Sequence, residues 1–447
     1  MSPELRQNYL KNWSYPLSPP ETLSLDEVTP KEGQFIAVGG RYFFRDFKVH
    51  EIVGGRTTME LAGLDGLQIL DSSSEVSFNA LDVLIPGDLI FVKGQWRAGV
   101  IHVDLLETLA PNLAGRAPRF YDHEFSPEWA LLWQEFRRVI RQFFSDQGFL
   151  EGRTPTLVPS PGTEPFLVPF ETTWRMGRKE IPLYLPTSPE LHLKKLLVRG
   201  FPKVFELKDC FRNSEVGPQH QPEFLMLEWY RSFQRLEVIQ SDIKDLLQHL
   251  VHHFSDNDKR FALKKNLSVD IKSVAELFEE KLKFTLTPKT SLEELRALAR
   301  ELRLHFGNED SWNDVFFRIF LEHIEPGLGL EQPLIVKLYP PSQAAYARLT
   351  EEGWADRFEL YWKGLEIANA FHELNDPGEQ MRRFESDLNE QKRQGRVPVR
   401  LDHEFIEGLK FGMPPSSGIA LGVERLFMAL FDLPDIASLR AFPFSAD

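Results

Sequence analysis

The stretch KVFELKDCFRNSEVGPQHQPEFLMLEWYRSF, residues 203–233, carries the densest pattern in the chain. Two β-rich arms flank a polar Gly-Pro loop, Ser214–Pro222, so the spacing predicts a strand–loop–strand hairpin. In the second arm a period of two puts Phe224, Met226, Glu228 and Tyr230 on one face, with Leu225, Leu227 and Trp229 on the other. The second set reads as core. The first combines an aromatic ring, a carboxylate and a phenol, a mixture that a purely structural face rarely shows. Arg212 ends the first arm just before the loop, where a guanidinium could grip a phosphate through two parallel hydrogen bonds. A surface hairpin with a salt-bridged arginine fits the same residues, and this stretch alone leaves both readings open.

Two further stretches follow it. In DRFELYWKGLEIANAFHELND, residues 356–376, a turn at Lys363-Gly364 sets Tyr361 opposite Glu366 and makes Glu359 a diagonal neighbour on the same face. Two carboxylates at that spacing suit a Mg²⁺ ion that bridges phosphate oxygens, although an edge hairpin with solvated acids is also consistent. Asn369 and Glu373 follow Glu366 at short intervals. In SSGIALGVERLFMALFDL, residues 416–433, Gly418, Ala420 and Gly422 let backbone approach a ligand, and the helix after them carries Arg425 early. Such a run is often only a packing device. His249, His252 and His253 have helical metal spacing without an accompanying carboxylate motif, and Cys210 has no activating base; a solvated helix face and a small buried side chain account for them.

Around these stretches the organisation is readable. Residues 1–30 are polar and proline-containing, an extension that packs poorly alone. From about 31 to 115 come short β-rich runs, FIAVGGRYFF, TTMELAGL, GDLIFVKGQW and GVIHVDLLETL, separated by turn signals such as Gly54-Gly55 and Asp71-Ser72. They suit a small oligonucleotide-binding-type (OB-like) β-barrel or a small sandwich without a ligand. From 116 to 447 helices and strands mix without βαβ alternation, which favours an α+β domain with an antiparallel sheet. Its first helix is predicted to start with Ser126 as N-cap and Pro127 inside, to carry Trp129, Leu132, Phe136, Val139, Ile140 and Phe143 on one face, and to stop at Gly148.

The bulk properties exclude several classes. The 447 residues are 42% hydrophobic and 26% charged, which excludes a disordered or collagen-like chain. A single cysteine excludes a disulfide framework and a Cys-based zinc site. No apolar leader or run long enough to cross a membrane is present, so a cytoplasmic protein is expected. The net charge of −14 argues against a protein that lives on nonspecific attraction to phosphates.

In this order and spacing the stretches resemble the catalytic core of class II aminoacyl-tRNA synthetases, in the lysine-specific branch, from about Arg119 to the C-terminus. GFLEGRTPTLVP, with Pro155, is similar to motif 1, FRNSEVGPQHQPEFLMLEWY to motif 2 and GIALGVERL to motif 3; the β-rich region resembles that branch's anticodon-binding barrel more weakly. Within the branch, PTSPELHLKKLL, YPPSQAAYA, KGLEIANAFHELND and GIALGVERL resemble the ligases that attach (R)-β-lysine to a lysine of translation elongation factor P. Ala420 and Ala368 are both ligase-like, and a methyl group at Ala420 would reshape the pocket around the substrate's amino group. The barrel-like region is a departure, since those ligases normally lack one.

The resemblance implies roles. Arg212 and Arg425 would be the catalytic groups, holding the α- and γ-phosphates of ATP, with Glu359 and Glu366 holding Mg²⁺. Asn213, Ser214, Glu215, His220, Gln221, Phe224, Ile367 and Gly422 would complete the ATP site, Phe224 by stacking on adenine. Ser188, Pro189, Glu190, Glu228, Tyr230, Asn369, Glu373 and Ala420 would receive the amino acid. Motif 1 implies a homodimer. Ser214 stands where the family usually has Glu, Gln221 where Asn is usual and Ala370 where Gly is usual, which touches the adenine contact and the pocket size. Elongation factor P is the expected acceptor. A lysyl-tRNA synthetase and a non-catalytic paralogue acting as a binding module are the other readings. Residues 1–118 hold 10 Lys and Arg against 15 Asp and Glu, which makes tRNA the less favoured acceptor.

Overall fold

The computed structural model describes residues 35–42, 57–63, 66–72, 89–97 and 100–110, then 127–257 and 267–444. The chain divides into two compact units, Met1–Leu132 and Trp133–Asp447. The first holds five strands, β1 (Phe35–Tyr42), β2 (Thr57–Gly63), β3 (Gly66–Ser72), β4 (Leu89–Arg97) and β5 (Val100–Ala110). They pair in the order β1-β2-β3-β5-β4 and close through β4 and β1, with β3 and β5 the parallel pair. Asp71 and Ser72, expected in a turn, instead end β3 opposite Thr58 and Thr57. The extension 1–30, Gly54-Gly55 and Ser126 lie outside the described residues.

Pro127–Asp146 forms α1, in which Phe136, Val139, Ile140 and Phe143 are buried at helical spacing while Trp129 and Leu132 are only half-buried. Gly148 stops it as expected: its φ is +74°, a left-handed conformation that costs glycine no Cβ clash, and its amide donates to Ser145 O at 3.0 Å. There follow β6 (Leu150–Glu151), a separate hairpin of β7 (Glu171–Met176) and β8 (Lys179–Tyr184), α2 (Glu190–Val198), β9 (Lys203–Phe211), β10 (Glu223–Ser232) and α3 (Leu236–Asn257). β11 (Asp270–Ser273) leads into α4 (Val274–Leu282), α5 (Leu292–Glu301) and α6 (Trp312–Ile319), each begun by a serine N-cap whose hydroxyl accepts from the amide three residues on. Then come β12 (Leu334–Tyr339), β13 (Ala355–Trp362), β14 (Leu365–His372), α7 (Pro377–Arg393), α8 (His403–Gly412), β15 (Ser416–Gly422) and α9 (Val423–Phe431).

Eight of these strands form one sheet in the order β11-β12-β13-β14-β15-β10-β9-β6. Its six central strands pair antiparallel, as an α+β reading requires, but the short edge strands β11 and β6 run parallel to β12 and β9. The predicted hairpin is β9–β10, and its two faces behave as period two demands. Trp229 packs against Phe144 of α1 with ring centroids 5.0 Å apart, and its indole N–H donates to Asp242 of α3 at 3.1 Å. On the other face Tyr230 and Phe371 meet a core from α2, α7 and α8 that includes Leu193, Leu197, Phe384, Phe405 and Ile406. Each such buried side chain contributes about 1.5–3 kcal/mol, which fixes α2 against the sheet.

Candidate active site

Strand register builds the site. Glu359 on β13 stands opposite Asn369 on β14, Asn369 opposite Ala420 on β15, and Ala420 opposite Glu228 on β10. Glu228 in turn stands opposite Glu206 on β9. Directly opposed residues share a face, so one row of side chains crosses five strands. A neighbouring row joins Phe371, Gly418 and Tyr230. A Cβ at Gly418 would lie 2.2 Å from the Tyr230 ring, so glycine is what lets that ring rest on the sheet.

The β13–β14 turn is where the sequence put it: Lys363 and Gly364 have φ of +51° and +73°, and Tyr361 faces Glu366. The ladder then departs from expectation. The register shifts between Leu360 and Tyr361, so Leu360 faces Ala368 and Ile367 is left unpaired. This bulge moves Glu359 opposite Asn369 and brings Glu366 and Asn369, three residues apart, onto one face. Tyr361 still faces Glu366, so Glu359, two residues before Tyr361 on the same strand, keeps its place on that face diagonal to Glu366.

One cavity lies on this face. Along β10 it runs from Phe224 past Met226 to Glu228, with Tyr230 behind, a span of about 14 Å at roughly 3.4 Å per residue. Around Phe224 its wall holds Arg212, Glu215, His220, Gln221, Glu366, Ile367, Gly422 and Arg425; around Glu228 it holds Ser188, Glu190, Asn369 and Ala420. Pro189, Asn213, Ser214, Tyr230, Glu359 and Glu373 are not part of the wall. Asn213 and Ser214 are exposed in the loop, Ser214 at a φ of +70°.

At the first end two arginines stand among the carboxylates Glu215 and Glu366, and the arginines are partly open. The Arg212 guanidinium lies over the Phe224 ring, 5.0 Å from its centroid, and 3.8 Å from Glu215. Arg425 donates to the carbonyl of Glu366 at 2.9 Å and also contacts His220 Nε2. Burial and then the Arg425 charge lower the His220 pKa, which keeps that ring neutral and able to accept from Arg425. The Gln221 side-chain oxygen accepts from the amide of Phe444 at 3.0 Å, and Ile436 donates its amide to Pro218 O at 2.9 Å, so the loop is tied to the segment after α9. Gln221 thus binds protein. Ala370 pairs with Phe358 and Ile419 and does not line the cavity.

Glu366 is pushed up to about 7 by burial and then by the Glu359 charge, while Arg425 and Arg357 pull it back. One Glu359 oxygen accepts from Tyr339 at 2.5 Å and Tyr361 at 2.7 Å, and the other pairs with Arg357. Among the described residues no cluster of three or more His, Cys, Asp or Glu could hold a metal by itself. Mg²⁺, which usually takes one or two carboxylates and completes its shell with phosphate oxygens and water, fits Glu366 backed by Glu359. On α3, His253 contacts Glu135 at 2.8 Å and His249 packs on Phe143. Cys210 is buried, and burial raises its thiol pKa well above the ordinary value.

The second end is negative and closed. Glu228, fully buried, accepts from Ser188 Oγ at 2.6 Å and from Tyr230 OH at 2.9 Å. Burial, then the Glu190 charge, push it up to about 8; burial does the same to Glu373 against the pull of Lys194. Neither Asn369 Oδ1 nor Glu373 Oε1 has a hydrogen-bond partner. Sequence reasoning missed three residues here. Lys194, fully buried on α2, pairs with Glu190 and lies 2.6 Å from Glu373. Tyr346 presents its ring 4.5 Å from the Lys194 ammonium. Glu164 lines the cavity and is pushed up to about 7 by burial and then by Glu190. The i,i+4 spacing of Glu190 and Lys194 was a visible signal, and Tyr346 lies in the quoted run YPPSQAAYA; Glu164 lies on a loop and carried none.

Residues 128–446 match the family model described as tRNA synthetases class II (D, K and N). The chain is 36% identical over 312 residues to an elongation factor P–(R)-β-lysine ligase of Hamiltonella defensa, covering 68% of this chain and 92% of that protein. It is 37% identical over 314 residues to the protein of the same name from Yersinia enterocolitica, covering 68% and 91%. Among the described residues no helix is long and apolar enough to cross a membrane.

Proposed function

The chain belongs to the class II tRNA synthetases, and from that premise we propose that it is an ATP-dependent ligase that activates (R)-β-lysine or lysine and transfers it to a lysine of elongation factor P. The observation that carries the reading is the distribution of charge along the cavity: its arginines lie at one end only, with Glu366 between them, while the wall of the other end carries buried carboxylates and no cation, the two joined by the Glu228–Ala420–Asn369 row. A triphosphate needs the first end. A substrate with two ammonium groups needs the second, and the lone acceptors Asn369 Oδ1 and Glu373 Oε1 are suited to its N–H donors.

In the proposed first step the substrate carboxylate attacks the α-phosphorus of ATP, forming the aminoacyl-adenylate and releasing pyrophosphate. The carboxylate is ionised at neutral pH, so no general base is required. Arg212 and Arg425 align the triphosphate and stabilise the charge that develops on it, and His220 holds Arg425 in place. Mg²⁺ held by Glu366 and Glu359 would neutralise phosphate charge. Ser188 and Tyr230 aim the Glu228 carboxylate; a substrate without the matching ammonium leaves it unpaired, which is a strong basis for rejection. The acceptor amine then attacks the adenylate carbonyl and AMP leaves. We assign residues 116–447 to this chemistry, the homodimer contact to motif 1 around Pro155, and the reaction to the cytoplasm.

The strand order β1-β2-β3-β5-β4 supports an OB-like reading of residues 31–115 and favours a second acceptor, tRNA. ATP–pyrophosphate exchange with α-lysine and both β-lysine enantiomers, followed by transfer to elongation factor P or to tRNA, tests the proposal. The expected outcome is preference for (R)-β-lysine and transfer to the protein. Preference for α-lysine with efficient tRNA charging would overturn it in favour of the second reading.

A further inference from the structure

A buried lysine deep in an acidic pocket calls for an explanation beyond packing. Lys194 is 1% exposed, on the α2 face that meets the sheet. Its ammonium bonds to Glu190 one turn earlier and sits 2.6 Å from Glu373 Oε2, beyond the end of β14. The Tyr346 and Tyr230 rings stand 4.5 and 6.0 Å from it. Three carboxylates, Glu190, Glu228 and Glu373, thus share one resident cation. Glu164 acts on the cluster through Glu190 and Tyr346. On α8 the acidic neighbour Asp402 is taken by Lys195 instead. Glu373 is fully buried, and neither oxygen makes a well-formed hydrogen bond: Oε2 faces the Lys194 ammonium as an ion pair, and Oε1 has no partner.

Resting on the functional reading above, we propose that Lys194 is a positioning residue for amino-acid recognition: it occupies one oxygen of Glu373 and locks Glu190, so that Glu373, just behind the cavity wall, keeps its other oxygen available for a substrate ammonium group that reaches it. A buried carboxylate without a nearby cation takes up a proton and becomes a hydroxyl donor, which repels an ammonium group instead of accepting from it. Lys194 opposes that loss while remaining outside the cavity wall. Burial would lower its own pKa, yet Glu190 and Glu373 together hold it above the ordinary value, so it stays charged at any pH at which the enzyme works.

The test compares the parent with Lys194→Met, Lys194→Arg and the double variant Lys194→Met/Glu373→Gln. Infrared spectra at pH 9, without substrate, where Glu373 of the parent has released its proton, should show a protonated carboxyl in Lys194→Met that both the parent and the double variant lack. In pyrophosphate exchange with (R)-β-lysine and α-lysine, Lys194→Met should raise the amino-acid KM by about 10-fold or more with the ATP KM unchanged. The pH at which that KM improves should move up by about 1–3 pH units, and Lys194→Arg should restore the parental pH profile. If Lys194→Met loses stability alone, or raises both KM values equally with no change in the pH profile, the inference is overturned. If the carboxyl signal appears but the parent exchanges with neither lysine isomer, the substrate reading fails while the hold of Lys194 on Glu373 stands.

Discussion

The two ends of the cavity are built differently. Around Arg212 and Arg425 the charged groups come from a loop and a helix start, and they are partly open to solvent. Around Glu228 they come from strand centres and a packed helix, and Glu228, Glu373 and Lys194 are sealed from water. A triphosphate brings several charges and its own hydration, so long flexible guanidinium groups can find it. An amino acid that must be told from its relatives by the position of one amine needs acceptors that cannot move. Under the proposed function, the difference separates catalysis, assigned to partly exposed charge, from selection, assigned to buried charge.

That contrast can be broken at either end. Arg425→Ala, or Arg212→Ala, should lower kcat for pyrophosphate exchange by roughly 10²–10³-fold with any amino acid, because the lost charge acts on the phosphates. Glu228→Gln should instead raise the amino-acid KM by about 100-fold and leave the ATP KM in place, as loss of a buried charge partner does. A mutant that moved both constants together would show the ends are not independent. Ala420→Gly removes one methyl group from the floor, and the ratio of exchange with α-lysine to that with (R)-β-lysine should change by about 10-fold.

The smallest effect concerns pH. Glu228 and Glu373 have ordinary values of 4.5 and are pushed up to about 8 by burial in the fold. Between those limits the native protein holds protons that the unfolded chain has released, so without substrate its stability falls as pH rises from about 5 to 8. Binding two ammonium groups favours the ionised carboxylates, so the amino-acid KM should fall several-fold from pH 6.5 to 8.5 while the ATP KM changes less. Calorimetric unfolding and exchange kinetics across that range check the two signs.

Much of the negative end was legible because strands alternate: the face Phe224, Met226, Glu228, Tyr230 follows from counting by two, and so does the turn at Lys363-Gly364. What alternation cannot foresee is a change of register. The unpaired Ile367 puts Glu366 and Asn369 on one face, and no pattern in LEIANAF announces it. Nor does sequence distance announce that Lys194 meets Glu373, since that contact exists only after α2 docks on the sheet. The departure at Gln221 was visible, but its reason was not: the amide reaches a backbone group more than two hundred residues later.

The row that crosses the sheet also bears on how the molecule comes to be folded. β15 is the last strand in sequence, yet it lies between β14 and β10, and it supplies Ala420 to the middle of the row. Its partner β10 ends nearly two hundred residues earlier, so this pairing belongs among the non-local contacts that form slowly. Only β15 links the two: Glu228 and Asn369 share Ala420 as their common neighbour, and no other strand pairs with both β10 and β14. Under the proposed function, capture of the amino acid is thus a property of the completed sheet, since no two neighbouring segments of the sequence make the site by themselves.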